Sequence, residues 1–244
     1  ISWCEFWYAY STFQIFQEIM SVYFQILFCS IIIPFIFSFH PRIKFYKRWP
    51  EFIKSNFLTI IPFLIWDEIF TLNAVWGFND DFLSGIYVFS LPLEEILFFF
   101  VIPYCVIFTY EVFCLYPLKY TRLVEGFTLF LAIIILIIGI YSHNHIYTFI
   151  TFTCLGILLF ILFFLKKAFL QHFYITYFFI TISFFLIVNG TLTGGTLSSP
   201  VVWYNDAETL NIRVWSIPIE DFFYSMLLLL SNISLYELFK HNKQ

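Results

Sequence analysis

The chain has 244 residues, of which 61% are hydrophobic and 11% charged, and its formal net charge is −4. A soluble domain carries about a quarter charged residues, so this composition excludes a water-soluble globule, and it offers no basic patch for nucleic acid. Mean hydropathy is +0.87, and the apolar runs are continuous rather than alternating, which excludes an outer-membrane barrel.

A helix of 20 apolar residues spans about 30 Å, the thickness of the bilayer core. Seven such runs are predicted, at 21–39, 57–74, 92–113, 124–141, 146–165, 173–190 and 217–238. The expected fold is all-α, a polytopic bundle of seven transmembrane helices. Residues 1–19 open on Ile1, carry Trp3, Trp7, Tyr8 and Tyr10, and lack the cations of a signal peptide. They are expected to be a non-native or disordered extension.

The first run ends at Phe39-His40-Pro41, and a basic, aromatic loop follows with Arg42, Lys44, Lys47, Arg48 and Lys54. Lys119 and Arg122 follow the third run, Lys166 and Lys167 the fifth, and Lys240 and Lys243 the seventh. Of the 12 cations only Arg213 falls on the other side. The positive-inside rule then puts the N-terminus outside and the C-terminus in the cytoplasm, in what is expected to be a bacterial cytoplasmic membrane.

The second run holds Trp66-Asp67-Glu68 and Thr71. Asp67 lies about 10 Å below the outer end of its helix at 1.5 Å per residue. A carboxylate at depth costs about 2.5–3.5 kcal/mol, so it is kept for a partner or a task. Two readings stand: a buried hydrogen bond to Thr71 or Asn189, or a protonated side chain serving as general acid.

The third run opens Ser90-Leu91-Pro92-Leu93-Glu94-Glu95. With Leu91 as cap, Pro92 at N1 and Glu94 at N3, this is an ordinary helix start. That accounts for neither Glu95 nor the recurrence 126 positions later of Ser216-Ile217-Pro218-Ile219-Glu220-Asp221. Helix neighbours diverge by about 100°, so one acid of each pair can cap while the other faces the bundle. The register continues to Tyr110-Glu111 and Tyr236-Glu237, where the acids read as interfacial and structural. Val188-Asn189-Gly190-Thr191-Leu192-Thr193 matches the second run, so that Asp67 becomes Asn189 and Thr71 becomes Thr193.

The fourth run has no counterpart. The organisation read from this is a three-helix repeat over 20–118, a linker helix over 119–143 and a second, parallel repeat over 144–244. Duplicated membrane folds commonly build their site between the halves. His143-Asn144-His145 lacks a third metal ligand, the five cysteines form no CxxC, and the eight glycines form no phosphate-binding loop. No metal, flavin or nicotinamide cofactor is therefore expected. Acids in an apolar membrane cavity suit proton transfer to a greasy substrate, or proton-coupled transport.

The stretches Trp66-Asp67 with Thr71, Val75-Trp76-Gly77-Phe78-Asn79, Leu91-Pro92-Leu93-Glu94-Glu95 and Leu97-Phe98-Phe99 resemble the lycopene cyclase domain of the membrane-integral cyclases. That family includes heterodimeric bacterial enzymes, their fused forms and the cyclase half of fungal bifunctional enzymes. Pro218-Ile219-Glu220-Asp221 is similar to its second-domain motif, so the chain looks like a fused version. The resemblance implies non-redox cyclisation of lycopene ends to ionone-type rings, an isomerase or intramolecular lyase activity. It implies lycopene or a related linear carotenoid as substrate, in a lipid bilayer, and association with other carotenoid enzymes. The candidate proton donors and acceptors are Glu94, Glu95, Glu220 and Asp221, supported by Asp67. The candidate substrate-contacting residues are Trp66, Thr71, Trp76, Phe98, Asn189 and Thr193. The rival readings are a transporter of three-plus-one-plus-three topology and another carotenoid-binding membrane protein. A retinal protein is disfavoured, because 217–238 has no lysine.

Overall fold

The computed structural model describes residues 21–119 and 121–241, so the expected extension at 1–19 and the cation Lys243 lie outside the described residues. The helices are α1 (Val22–Phe37), α2 (Trp49–Leu72), α3 (Leu93–Cys114), α4 (Arg122–Tyr141), α5 (Ile146–Phe164), α6 (Leu170–Leu192) and α7 (Ile219–His241). Six of them, α2 to α7, are long and apolar enough to cross a membrane, and α1 is a shorter apolar helix of 16 residues. These apolar helices mark an integral membrane protein.

Local chemistry sets the helix ends. Ser21 caps α1, its hydroxyl accepting from the Phe24 amide at 3.2 Å. A 3₁₀ turn over Phe45–Arg48 leads into α2, which starts at Trp49 because Pro50 sits in its first turn with no amide to leave unpaired. The apolar run at 57–74 is therefore only the later part of α2. Its first two turns carry Glu51, Ser55 and Asn56, all buried, and an apolarity window passes over them. Likewise α3 begins one residue later than expected, at Leu93 with Pro92 as its cap, which puts Glu94 at the second position and Glu95 at the third.

The stretches between α2 and α3, and between α6 and α7, are not plain loops. Each holds a small hairpin, β2 (Tyr87–Val88) with β3 (Leu91–Pro92), and β5 (Arg213–Val214) with β6 (Ile217–Pro218). Phe89 and Trp215 turn these hairpins at φ of +57° and +60°. The remaining strands, β1 (Trp76–Phe78) and β4 (Val202–Tyr204), pair antiparallel with each other across the two halves. The register is Trp76 with Tyr204, Gly77 with Trp203 and Phe78 with Val202. With the repeat offset of 126 residues, Gly77 is the equivalent of Trp203, so the ladder is self-complementary about its centre. Asn79 N–H donates to Val201 O at 2.9 Å, and Asn205 N–H donates to Val75 O at 2.8 Å, extending the same relation. Gly77 has to be glycine here, since a Cβ would stand 2.4 Å from the Trp203 ring.

Helix packing follows the same two-fold rule. α1 packs on α3 as α5 packs on α7, and α3 packs on α6 as α7 packs on α2, while α4 lies along α5. At the end remote from the strands, Lys240 Nζ sits 2.6 Å from Glu111 and 3.4 Å from Glu237, and Tyr110 donates to Glu237 at 3.0 Å. This ion cluster ties α3 to α7, in line with a structural role for Glu111 and Glu237.

One seam breaks the two-fold likeness. Between α2 and α7, Ser55 donates to Asn232 Oδ1 at 3.0 Å and Asn232 donates to Asn56 Oδ1 at 2.6 Å. Asn56 in turn donates to the Phe99 carbonyl at 3.3 Å, so the clamp reaches α3. Asn232→Leu is expected to strand the buried Asn56 carbonyl and to cost about 1–3 kcal/mol. The measurement is the denaturation midpoint of detergent-purified protein, and an unchanged midpoint would mean the clamp adds nothing.

Candidate functional site

The paired acids at the starts of α3 and α7 separate by role, because neighbouring helix positions diverge by about 100°. Glu94 and Glu220 are each 0% exposed. Glu94 Oε1 accepts from the Ser84 amide and the Ser21 hydroxyl, both at 2.6 Å. Glu220 Oε1 accepts from the Leu210 amide at 2.7 Å and the Thr148 hydroxyl at 2.6 Å. Each first acid therefore holds the loop ten residues back and the start of the neighbouring helix, α1 or α5. It does not cap its own helix, contrary to the simple helix-start reading of Glu94.

The second acids turn the other way, into one shared cavity of about 740 Å³. Glu95 accepts a hydrogen bond from the Tyr23 hydroxyl at 2.5 Å. Asp221 accepts three: from Tyr147 at 2.7 Å on Oδ1, and from Asn189 at 2.7 Å and Tyr204 at 2.8 Å on Oδ2. Asp67 lines the same cavity, with Oδ1 accepting from the Trp76 indole at 2.6 Å and Oδ2 buried without a partner. Asp67, Glu95 and Asp221 lie close enough for their charges to interact. No lysine or arginine pairs with any of them among the described residues. Tyr204 lies in β4, outside the helices, and burial, reinforced by the Asp221 charge, pushes its phenol well above the usual value. It therefore stays a donor to Asp221.

Aromatic rings wall the acid end of the cavity. Tyr224 stands edge-on to Trp66 at 5.2 Å, to Phe63 at 5.4 Å, to Trp76 at 5.9 Å and to Tyr147 at 6.1 Å between ring centres. Its hydroxyl is buried and has no partner. Tyr147 and Tyr204 stack at 6.0 Å with their planes 10° apart.

The candidates named from sequence thus fall into two sets. Asp67, Glu95, Asp221, Trp76, Phe98 and Asn189 line the cavity. Glu94, Glu220, Trp66, Thr71 and Thr193 do not. Trp66 stands behind Tyr224, and Thr193 is spent on Ser216 at 2.7 Å and on its own helix. Thr71 Oγ1 makes no bond at all, so the sequence pairing of Asp67 with Thr71 is replaced by Asp67 with Trp76. Asn189 bonds Asp221 rather than Asp67. His145 is used locally, its Nδ1 lying 2.9 Å from the Ala207 carbonyl.

Four tyrosines at the site, Tyr23, Tyr147, Tyr204 and Tyr224, were not singled out in the sequence. One of them was within reach: Phe98 plus the offset of 126 is Tyr224, so the repeat carries a phenyl ring in one half and a phenol in the other. Tyr204 likewise falls on Phe78. Tyr23 and Tyr147 sit at different offsets, 124 apart, at helix starts whose other polar residues attract no notice.

No curated protein and no solved structure matches the chain. A family model described as lycopene cyclase matches residues 20–113 and again 144–239, which is most of the sequence and leaves out the stretch that forms α4. The two matched segments are the two packed triplets, each supplying one acid of its pair, Glu95 or Asp221, to the same cavity, and on this match the chain belongs to the lycopene cyclase family.

Proposed function

We propose that the chain cyclises the linear ends of lycopene, or of a closely related carotenoid, to ionone-type rings by adding one proton and removing another. The observation that carries this reading is the convergence of Asp67, Glu95 and Asp221, drawn from both repeats, on one apolar cavity walled by aromatic rings. Glu94 and Glu220, which hold loops, leave the proton-transfer role to these three.

The hydrogen bonds suggest a division of labour. Asp221 is met by three donors, which favours its carboxylate form and makes it the proton acceptor. Asp67 and Glu95 have one donor each, and Asp67 Oδ2 has a free position for a proton. This pair is the source of the proton. Protonation of the terminal double bond forms a new C–H bond and leaves a tertiary cation. The neighbouring double bond attacks that cation and closes the ring, and Asp221 takes a proton from the adjacent carbon. One proton enters and one leaves, so electrons balance without a redox partner. The cation is carried by ring faces of Trp76, Tyr147 and Tyr224 and by the nearby carboxylate, in a site that excludes water.

In this reading all seven helices cross the bilayer, α1 included. The two triplets run parallel, α4 is the linker, the N-terminal side is outside and the C-terminal side is cytoplasmic. Single cysteines placed in 78–84 are expected to react with an impermeant thiol reagent from outside, and cysteines in 42–54 to be shielded. The opposite pattern would invert the orientation.

The chemical test is expression in a lycopene-accumulating bacterium followed by pigment analysis. Asp67→Asn, Glu95→Gln and Asp221→Asn are each expected to lower cyclisation about 10²–10⁴-fold at unchanged protein level, the usual loss of a general acid or base. Wild-type pigment from all three would exclude this site. Glu94→Gln and Glu220→Gln act differently, since they weaken a loop anchor by about 1–3 kcal/mol. Their protein level is expected to fall while the rate per molecule stays within a few-fold of the parent.

A further inference from the structure

The cavity does not end at the acids. It continues along α3 from Glu95 to Phe113, with α1 on one side and α6 on the other. Eighteen residues of helix correspond to about 27 Å, most of the depth of a bilayer core. The lining there is almost wholly apolar. Most of its hydroxyls are taken up by backbone carbonyls: Ser30 donates to Ile26 and Thr109 to Cys105, each at 2.8 Å, and Tyr177 and Ser225 both donate to Phe222. Thr181 keeps one unpartnered hydroxyl, a single neutral group in a slot that offers a polar headgroup no charged partner among the described residues.

The slot is one of two seams that the duplication made equivalent, and the other is shut. The polar clamp between α2 and α7 uses Asn232, Ser55 and Asn56. Subtracting 126 from Asn232 gives Val106, and adding 122, the offset between Asp67 and Asn189, to Ser55 and Asn56 gives Tyr177 and Phe178. Val106 and Tyr177 line the slot. The amide network of one seam is thus replaced by apolar and aromatic side chains in the other. On that side α6 also carries a π-helical turn over Thr181–Phe185, and Thr181 and Phe184 line the slot. A π turn packs more residues per turn, so it widens the helix where it occurs, and such turns cluster at functional positions. The wall opposite is α1, pinned at its outer end by Ser21 and Tyr23 to Glu94 and Glu95.

We propose that the slot between α1, α3 and α6 holds the unreacted remainder of a linear polyene whose end lies at Asp67, Glu95 and Asp221, so that one end reacts per binding event. This rests on the cyclase reading above. An extended hydrocarbon without polar groups is the ligand this slot suits, because it is long, apolar and continuous with the acids. With the equivalent seam clamped, the second end reacts only after release and rebinding in the reverse sense.

The test narrows the slot without touching the acids. Thr109→Trp fills it about 21 Å from Glu95 along α3, at 1.5 Å per residue, and Ser30→Trp fills it from α1. Each variant is expressed in the lycopene-accumulating host beside the parent and Ile61→Trp, which adds the same bulk to an exposed face of α2. Membranes are also assayed with lycopene and with a half-length acyclic polyene bearing the same end group. Both slot variants are expected to lose about 10²-fold in lycopene cyclisation, the scale of a misplaced substrate, while Ile61→Trp keeps the parent rate. Thr109→Trp is expected to keep its rate on the half-length substrate, which a misfolded protein would not. In the parent, the singly ringed product is expected to rise before the doubly ringed one. Parent-level lycopene turnover in both slot variants overturns the proposal and leaves the cyclase reading intact. So does equal loss on both substrates, which would mean general damage. A parent that cyclises neither substrate overturns the cyclase reading and the proposal with it.

Discussion

Two buried carboxyl groups, Asp67 and Asp221, and the half-buried Glu95 share an apolar cavity with no lysine or arginine paired to them among the described residues, and much of the strand-bearing end of the molecule is arranged around that fact. Taking a charge out of water is costly unless donors replace the solvent. Here the donors are neutral: phenols from Tyr23, Tyr147 and Tyr204, an indole from Trp76 and an amide from Asn189. A lysine or arginine would hold each acid as a fixed ion. Neutral donors leave room for a proton to reside on one carboxyl or another, and that freedom is what proton-transfer chemistry requires.

The two-fold relation between the triplets explains how the acids come together. The β1–β4 ladder is self-complementary about Gly77 and Trp203, so it joins the two triplets at a local two-fold relation. One acid from the start of α3 and one from the start of α7 then face the same centre. Within each pair the 100° step divides the work. Glu94 and Glu220 fasten the hairpin loops and the starts of α1 and α5, while Glu95 and Asp221 face inward. At the other end Lys240, Glu111 and Glu237 close the same two helices with an ion cluster, where headgroups and water make charge affordable.

The halves also differ at the site itself, which makes it unsymmetric. Asp67 faces Asn189 across the relation, Phe98 faces Tyr224 and Phe78 faces Tyr204. The result is one carboxyl with three donors and two carboxyls with one each. Glu68 and Gly190 differ in the same way. Glu68 binds the Ser90 amide, whereas Gly190 lets the Trp215 ring lie where a Cβ would stand 2.3 Å from it. The clamp at Asn232 and the slot at Val106 carry the asymmetry from the site down the length of the bundle.

Much of this was legible in the sequence, and the physical reason is that a bilayer makes hydrophobic length and charge placement nearly sufficient to define helices. The apolar runs located the helices, the 126-residue register related the two acid pairs, and Asp67 stood out because an acid within an apolar run is expensive. The family resemblance followed from the same stretches, and the match over 20–113 and 144–239 agrees with it. What the sequence left open was direction. Whether Glu94 or Glu95 faces the cavity turns on where α3 starts, and a shift of one residue at Pro92 changes the face by about 100°. The partners of Asp67 and Asp221 come from a strand and from other helices, so spacing along α2 and α7 could not reveal them. The early turns of α2 escaped an apolarity reading because their polar residues face α7 and α3 rather than lipid. The slot between α1, α3 and α6 is a difference between two seams, and only packed helices have seams to compare.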